Sequence, residues 1–139
     1  MDTPYTPLLR TQLEVEQFWR RLMQPLGWLH ASLWFAVVGP DDRPVPVMNE
    51  IDDLPDLALG SVADEVAERL ARLLRDHDVG CRLVLLYSRP GRGRPSRHDR
   101  DCLRALNAGM RRHGVPGDAG HIATDTGIYP MTGDDVLAA

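Results

Sequence analysis

The sequence contains no apolar run near the roughly 20 residues that a membrane-spanning helix requires, so we expect no membrane partner. Its opening residues are acidic and polar and lack a basic segment followed by an apolar one, which predicts no signal peptide. Only two cysteines are present, Cys81 and Cys102, too few for a disulfide framework. Reduced thiols of this kind are typical of a cytoplasmic protein, and we expect that location.

Signatures of common cofactor and catalytic sites are also missing, and we expect no cofactor. Gly91-Arg92-Gly93 has neither the length nor the Lys-Ser/Thr pair of a phosphate-binding loop, and no Ser/His/Asp or Cys/His constellation is evident. The net charge of −4 excludes a surface that is basic throughout but allows a local basic patch. The 139 residues are 43% hydrophobic, which suits one domain over 1–139 with a real core.

Hydrophobic spacing and turn residues predict eight elements in the order α-β-β-α-β-α-β-β. The predicted helices cover 8–24, 61–78 and 96–112, the predicted strands cover 28–38, 43–51, 81–87, 120–123 and 127–131, and a final helical turn covers 134–137. Helices that alternate with strands in this way predict an α/β fold, a mixed sheet flanked by helices. Pro44 and Pro46 predict that the second strand has at least one free edge, because proline cannot donate to a strand ladder.

Two of the predicted helices begin with a serine that is followed three residues later by an aspartate. The pairs are Ser61 with Asp64 and Ser96 with Asp99, and each predicts a side-chain cap on the first turn. This structural role is the favoured interpretation of Ser96 and Asp99; a residual binding role is the alternative and is compatible with it.

The N-terminal helix, within residues 1–27, carries more apolar surface than one buried stripe needs. Its large apolar side chains are Phe18, Trp19, Leu22 and Met23. This excess predicts a helix that packs against a second copy of the chain.

The segment from Cys81 to Asp99 reads CRLVLLYSRPGRGRPSRHD, an apolar strand followed by a Gly/Arg loop and a helix start. With the order of elements, it resembles the JAB/JAMM/MPN superfamily of zinc hydrolases, most closely its RadC-like branch, over 28–137. The motif of that family is a glutamate on an early strand, then His-x-His-Pro, then Ser-x-x-Asp. In the family, the two histidines and the aspartate hold zinc, and the glutamate is the general base.

The resemblance places Tyr87 and Arg89 at the two histidine positions. It places Pro90 at the motif proline, and Ser96 and Asp99 at the serine and the third ligand, with a loop one residue shorter. Tyrosine, with a hydroxyl pKa of about 10, is a poor zinc ligand, and arginine is always protonated and offers no lone pair. We therefore expect a vestigial site without metal and without catalytic residues.

The same resemblance gives expectations for two further residues. Glu50 is the candidate for the general base, although a solvated acidic loop edge is the favoured interpretation of this residue. His121 matches a histidine that RadC-like proteins often have before an apolar strand. If Arg89 points into the old metal cavity, its charge could pair with Asp99 or Glu50 and replace the ion by a salt bridge.

Other histidines give weaker indications. His98 and Cys102 stand four residues apart on one helix and could, with Asp99, form an improvised metal site; an exposed histidine beside a half-buried thiol is the alternative. The remaining histidines share no spacing and are expected mostly at the surface or at helix ends. They are His30, His77, His113 and His121.

The last feature is a cluster of arginines around the Gly/Arg loop. It consists of Arg89, Arg92, Arg94, Arg97 and Arg100. A solvated basic loop is one interpretation, and contact with an anion or a nucleic acid is the other.

Three functional hypotheses result. The first is a non-catalytic, metal-free JAMM/RadC-like domain that acts as a protein-binding or assembly module, through a protein partner or self-association. The second is a protein that binds nucleic acid or an anion through the Arg89–Arg100 loop. The third is a zinc hydrolase with a rebuilt site.

Overall fold

The computed structural model describes residues 5–46 and 48–131 and confirms a mixed α/β fold. Within these residues the elements are α1 Gln12–Leu22, β1 Ser32–Val38, β2 Asn49–Ile51, α2 Gly60–Arg75, β3 Arg82–Ser88, α3 Arg97–Arg112, β4 His121–Thr124 and β5 Gly127–Pro130. Their order is the predicted one. The helical turn predicted over 134–137 lies outside the described residues. No described helix combines the length and apolar character needed to cross a membrane.

The five strands form one open sheet in the order β2-β1-β3-β4-β5. Only β3 and β4 are parallel, and the other pairs are antiparallel. The edge position of β2 confirms the expected free edge, but the predicted bounds of 43–51 were too long. Pro44 makes only an isolated bridge with Val38, and the ladder resumes at Asn49. The two prolines lack the amide hydrogens that a continuous strand would donate.

Both faces of the sheet are buried, which explains the unbroken apolar character of β3. Leu83 and Leu85 pack with α2 and α3 on one face, whereas Val84 and Leu86 pack with α1 on the other. This alternation is the two-residue period of a strand. Both cysteines are buried and unpaired.

The larger part of the apolar surface of the N-terminal helical segment is covered by the chain's own sheet. Phe18, Trp19 and Met23 are buried there, and Trp19 is fully inaccessible. Of the side chains that suggested a dimer, only Leu22 stays exposed, at 40%. Leu13, which also lies in α1, is 61% exposed, and self-association stays a prediction.

Capping agrees with the sequence at α3 and differs at α2. Ser96 caps α3 and forms a reciprocal capping box with Asp99, as predicted. At α2 the prediction was wrong: Leu59 is the N-cap residue and supplies no side-chain cap. Asp64 instead accepts hydrogen bonds from Arg112 and His113 at the end of α3.

Helices α2 and α3 meet closely at Gly109. A Cβ atom at that position would lie 3.0 Å from the Ala67 Cβ and 3.2 Å from the Ala63 carbonyl oxygen. The small residues let the C-terminal half of α3 pack closely against α2.

Candidate functional site

Arg89 and Asp99, two residues of the predicted vestigial site, form an ion pair at the start of α3. The Arg89 Nε atom lies 3.1 Å from each carboxylate oxygen, and Nη2 lies 2.8 Å from Oδ2. The side chain of Asp99 is 3% exposed and that of Arg89 is 18% exposed. The hypothesis of a salt bridge between these two residues is confirmed.

The same carboxylate also closes the helix cap. The Ser96 amide donates to Asp99 Oδ2 at 2.7 Å, and the Ser96 hydroxyl accepts from the Asp99 amide at 3.1 Å. Burial by itself would raise the pKa of Asp99, but the hydrogen bonds from Arg89 and Ser96 outweigh it, so the pKa lies below its ordinary value. The carboxylate is ionised and fully engaged within the protein.

The Gly/Arg loop is anchored to the turn between β4 and β5. The Gly91 amide donates to Asp125 Oδ2 at 2.8 Å, and the Gly91 carbonyl accepts from the Asp125 amide at 2.9 Å. The Gly93 amide donates to the Thr126 hydroxyl at 3.0 Å, while its carbonyl accepts from the Thr124 hydroxyl at 2.7 Å. Both glycines have positive φ, which lets the loop fold back onto that turn. The loop is therefore held at several points rather than extended into solvent.

The anchored loop and the first residue of α3 present arginines to solvent. Arg92, Arg94 and Arg97 are exposed, and within the described part of the chain none of the three has a carboxylate partner. The Arg94 guanidinium lies 5.8 Å from the centre of the Tyr129 ring. Arg100 is half-buried, and its Nη1 donates to the Pro95 carbonyl at 3.1 Å. The predicted cluster thus divides into three exposed arginines that have no carboxylate partner among the described residues and two arginines that stabilise the fold.

Tyr87 is buried beneath this region, on the face of the sheet that carries α3. Its hydroxyl oxygen lies 4.0 Å from Cys102 Sγ. Burial, more than any neighbouring group, raises the pKa of Tyr87 above its usual range and the pKa of the Cys102 thiol to about 11. Both groups are therefore neutral in the protein near neutral pH.

Next to Tyr87, three potential metal ligands converge from two parts of the chain. Asp56, His98 and Cys102 place one ligand atom each within 4.8 Å of one another. The predicted cluster had Asp99 as its third member, but that carboxylate is occupied by Arg89. Asp56 comes from the loop before α2, and neither periodicity nor motif spacing in the sequence identifies it.

Glu50 is not brought to the Arg89–Asp99 pair. In the sheet register Glu50 pairs with Trp34, and Trp34 pairs with Leu86. Paired residues share a face, so Glu50 lies on the α1 side, whereas Tyr87 faces α2 and α3. The structure therefore gives no support to Glu50 as a member of this site.

His121 is fully buried, contrary to the expectation of surface or helix-end histidines. It lies at the start of β4, beneath α1, and neither ring nitrogen has a hydrogen-bond partner in the described part of the chain. Burial lowers its pKa to about 4. His121 is on the opposite face of the sheet from Tyr87, as its pairing with Leu86 shows.

Comparisons of the chain with protein-family models, with curated proteins and with solved structures found no match. The resemblance to the RadC-like branch therefore stays a prediction that rests on the sequence motif.

Proposed function

We propose that this chain is a non-catalytic JAMM/RadC-like domain that acts by binding, and that its partner is a protein with an acidic surface. The observation that carries the proposal is a set of three exposed arginines, with Arg92 and Arg94 on an anchored loop and Arg97 at the start of the helix that follows it. A loop that is already ordered loses little conformational entropy on binding, which favours a specific contact.

The absence of zinc chemistry at the family position is supported by the Arg89–Asp99 pair. The guanidinium directs its donors at the Asp99 carboxylate and carries a permanent charge that repels a divalent cation. A cytoplasmic location belongs to this proposal, and the two buried free thiols are compatible with it.

The small number of exposed arginines favours a local acidic patch on a protein over an extended nucleic acid as the partner of the loop. Three free arginines contact few phosphates, and the remaining acidic surface repels a polyanion that extends beyond them. Because the chain itself is acidic, a second copy is one such partner.

A nucleic acid is the second candidate, and the observation that favours it is Tyr129 beside the loop. Arg94 lies near the face of this ring, so a base could stack where the guanidinium now lies.

The test compares two variants that each remove three positive charges. One replaces Arg92, Arg94 and Arg97 by alanine, and the control replaces the exposed Arg69, Arg72 and Arg75 of α2. Binding of a labelled polyglutamate peptide and of single-stranded DNA is measured at low and at near-physiological salt. We expect peptide binding that falls at least tenfold in the loop variant and little in the control.

The outcomes separate the candidates. DNA binding that depends on the loop and exceeds peptide binding would replace the first candidate by the second. Equal losses in both variants, or no binding of either probe, would contradict a function in this loop. Light scattering at both salt concentrations shows whether a second copy is the partner.

A further inference from the structure

The triangle of Asp56, His98 and Cys102 has the dimensions of a metal site. Asp56 Oδ1 lies 3.2 Å from His98 Nε2, and Cys102 Sγ lies 3.6 Å from that nitrogen and 3.8 Å from that oxygen. A tetrahedral zinc ion, with bonds of about 2.0 Å to nitrogen or oxygen and about 2.3 Å to sulfur, separates its ligand atoms by about 3.3 Å for N and O and about 3.5 Å for S. The observed triangle matches these separations within about 0.3 Å.

We propose that Asp56, His98 and Cys102 form a zinc-binding site, with three protein ligands and one position open to solvent. The site lies beside the Arg89–Asp99 pair and shares no residue with it. It is independent of the binding function proposed for the loop arginines.

The fold holds each ligand in place before any ion binds. His98 and Cys102 are one turn apart at the start of α3, so both side chains lie on the same side of the helix. The Ala58 amide donates to Asp56 Oδ1 at 3.0 Å and orients the carboxylate. Hydrogen bonds of this kind to a ligating group are typical of metal sites and fix the ligand geometry.

Burial differs among the three ligands in a way that suits a site with an open position. Cys102 is 1% exposed and closes the site toward the core. The side chains of Asp56 and His98 are 44% and 58% exposed, so an ion and a water molecule can reach the triangle from outside. On binding, Cys102 loses its thiol proton to solvent and the sulfur becomes a thiolate ligand.

The ligand chemistry selects the class of ion. A thiolate with an imidazole favours a borderline ion such as Zn²⁺, whereas Mg²⁺ and Ca²⁺ prefer oxygen ligands. The bound ion would cross-link the loop before α2 to the start of α3. In the absence of an ion, the same atoms form a hydrogen-bonded cluster, and this alternative is what the test must exclude.

The test uses Co²⁺ as a spectroscopic substitute for zinc. The full chain is treated with a chelator, transferred to metal-free buffer and titrated with Co²⁺. A tetrahedral cobalt thiolate absorbs in the near ultraviolet by charge transfer from sulfur, and sites that contain only histidine lack this band. We expect one Co²⁺ per chain, the charge-transfer band, and loss of the band when Zn²⁺ is added.

Three variants assign the ligands. His98→Gln and Asp56→Asn change exposed side chains, which spares the fold, and each should weaken Co²⁺ binding at least tenfold. Cys102→Ser should abolish the charge-transfer band. The matched control is Cys81→Ala, which removes the other buried thiol and should leave the band intact.

Two results would overturn the proposal. One is a wild-type chain that gives no charge-transfer band at excess Co²⁺. The other is a band that persists in both His98→Gln and Asp56→Asn, or that disappears in Cys81→Ala. Alanine at Arg92, Arg94 and Arg97 should not change the band, so this proposal and the loop proposal can fail separately.

Discussion

The Arg89 guanidinium donates to both oxygens of the Asp99 carboxylate, with three contacts between 2.8 and 3.1 Å. Strand β3 supplies the preceding residue, Ser88, and α3 supplies Asp99 in its first turn. The pair therefore fastens the end of a central strand to the start of a helix, across the loop that carries the exposed arginines. Its position links the stability of the fold to the conformation of that loop.

Replacing Arg89 by alanine should destabilise the protein by about 3 kcal/mol, because it leaves the buried Asp99 carboxylate without its cation. Urea unfolding at neutral pH measures the change. Arg92→Ala, an exposed arginine three residues away, is the control and should cost little. Equal stability of wild type and Arg89→Ala would show that the attraction within the ion pair does not exceed the free-energy cost of desolvating its two charges.

The sequence predicts local features of this region well because their causes are local. The cap of α3 needs only Ser96 and Asp99, which are three residues apart. The order of the elements follows from apolar periodicity and turn residues in the same way.

Other predictions from the sequence failed because residues that are distant along the chain determine the structure there. Ser61 and Asp64 carry the same capping signal as Ser96 and Asp99, but Arg112 and His113 draw Asp64 away from the helix start. Asp56 joins His98 only after the chain folds, and no spacing rule connects a loop residue with a helix that begins about 40 residues later.

The buried His121 should make stability depend on pH on the acid side. Its pKa falls from 6.5 to about 4 on folding, so the unfolded chain binds the proton more readily between these values. The free energy of unfolding has its full value above pH 6.5 and falls by about 3 kcal/mol as the pH drops to about 4. Glu16 and Arg20 of α1 also face this ring and act on its pKa in opposite directions. Urea unfolding from pH 4 to 7 should show that this loss disappears in His121→Met.

The exposed His30 provides the control for that measurement. His30→Met should keep the acid-side loss of the wild type. If His121→Met and the wild type lose the same stability, the imidazole is not the group that titrates.

Asp118 should make stability depend on pH in the opposite direction to His121. Its Oδ1 accepts from the Leu85 amide at 3.3 Å, and burial raises its pKa from 3.8 to about 7. The folded chain therefore binds this proton more tightly, and its contribution to stability is lost as the pH rises from about 4 through 7. Asp118→Asn keeps the oxygen acceptor without the charge. Its stability relative to wild type should increase by about 4 kcal/mol across this range, measured by urea unfolding.

Asp53→Asn, at an exposed position, is the control and should show no such trend. A constant difference between Asp118→Asn and wild type at all pH values would contradict the raised pKa.

Gly109→Val should destabilise the contact between α2 and α3 by about 2 kcal/mol, because the added atoms meet Ala67 and the Ala63 carbonyl. Ala108→Val, at the neighbouring half-buried position, carries the helix penalty of a β-branched residue without that contact. Thermal unfolding of both variants gives the difference. Equal losses would mean that α3 moves away from α2 at little cost.

Leu59→Asp should stabilise the protein by about 1 kcal/mol, because it supplies the side-chain acceptor that α2 lacks. The backbone at this position is already extended, with φ −73° and ψ 117°, as an N-cap residue requires. The new charge also lies favourably near the helix N-terminus, and Leu59 is 57% exposed, so little apolar burial is lost. Leu29→Asp makes the same chemical change at a position that is 92% exposed and outside any helix, and it should leave stability unchanged. Urea unfolding distinguishes the two; an equal effect of both substitutions would show that the cap contributes nothing and that only net charge matters.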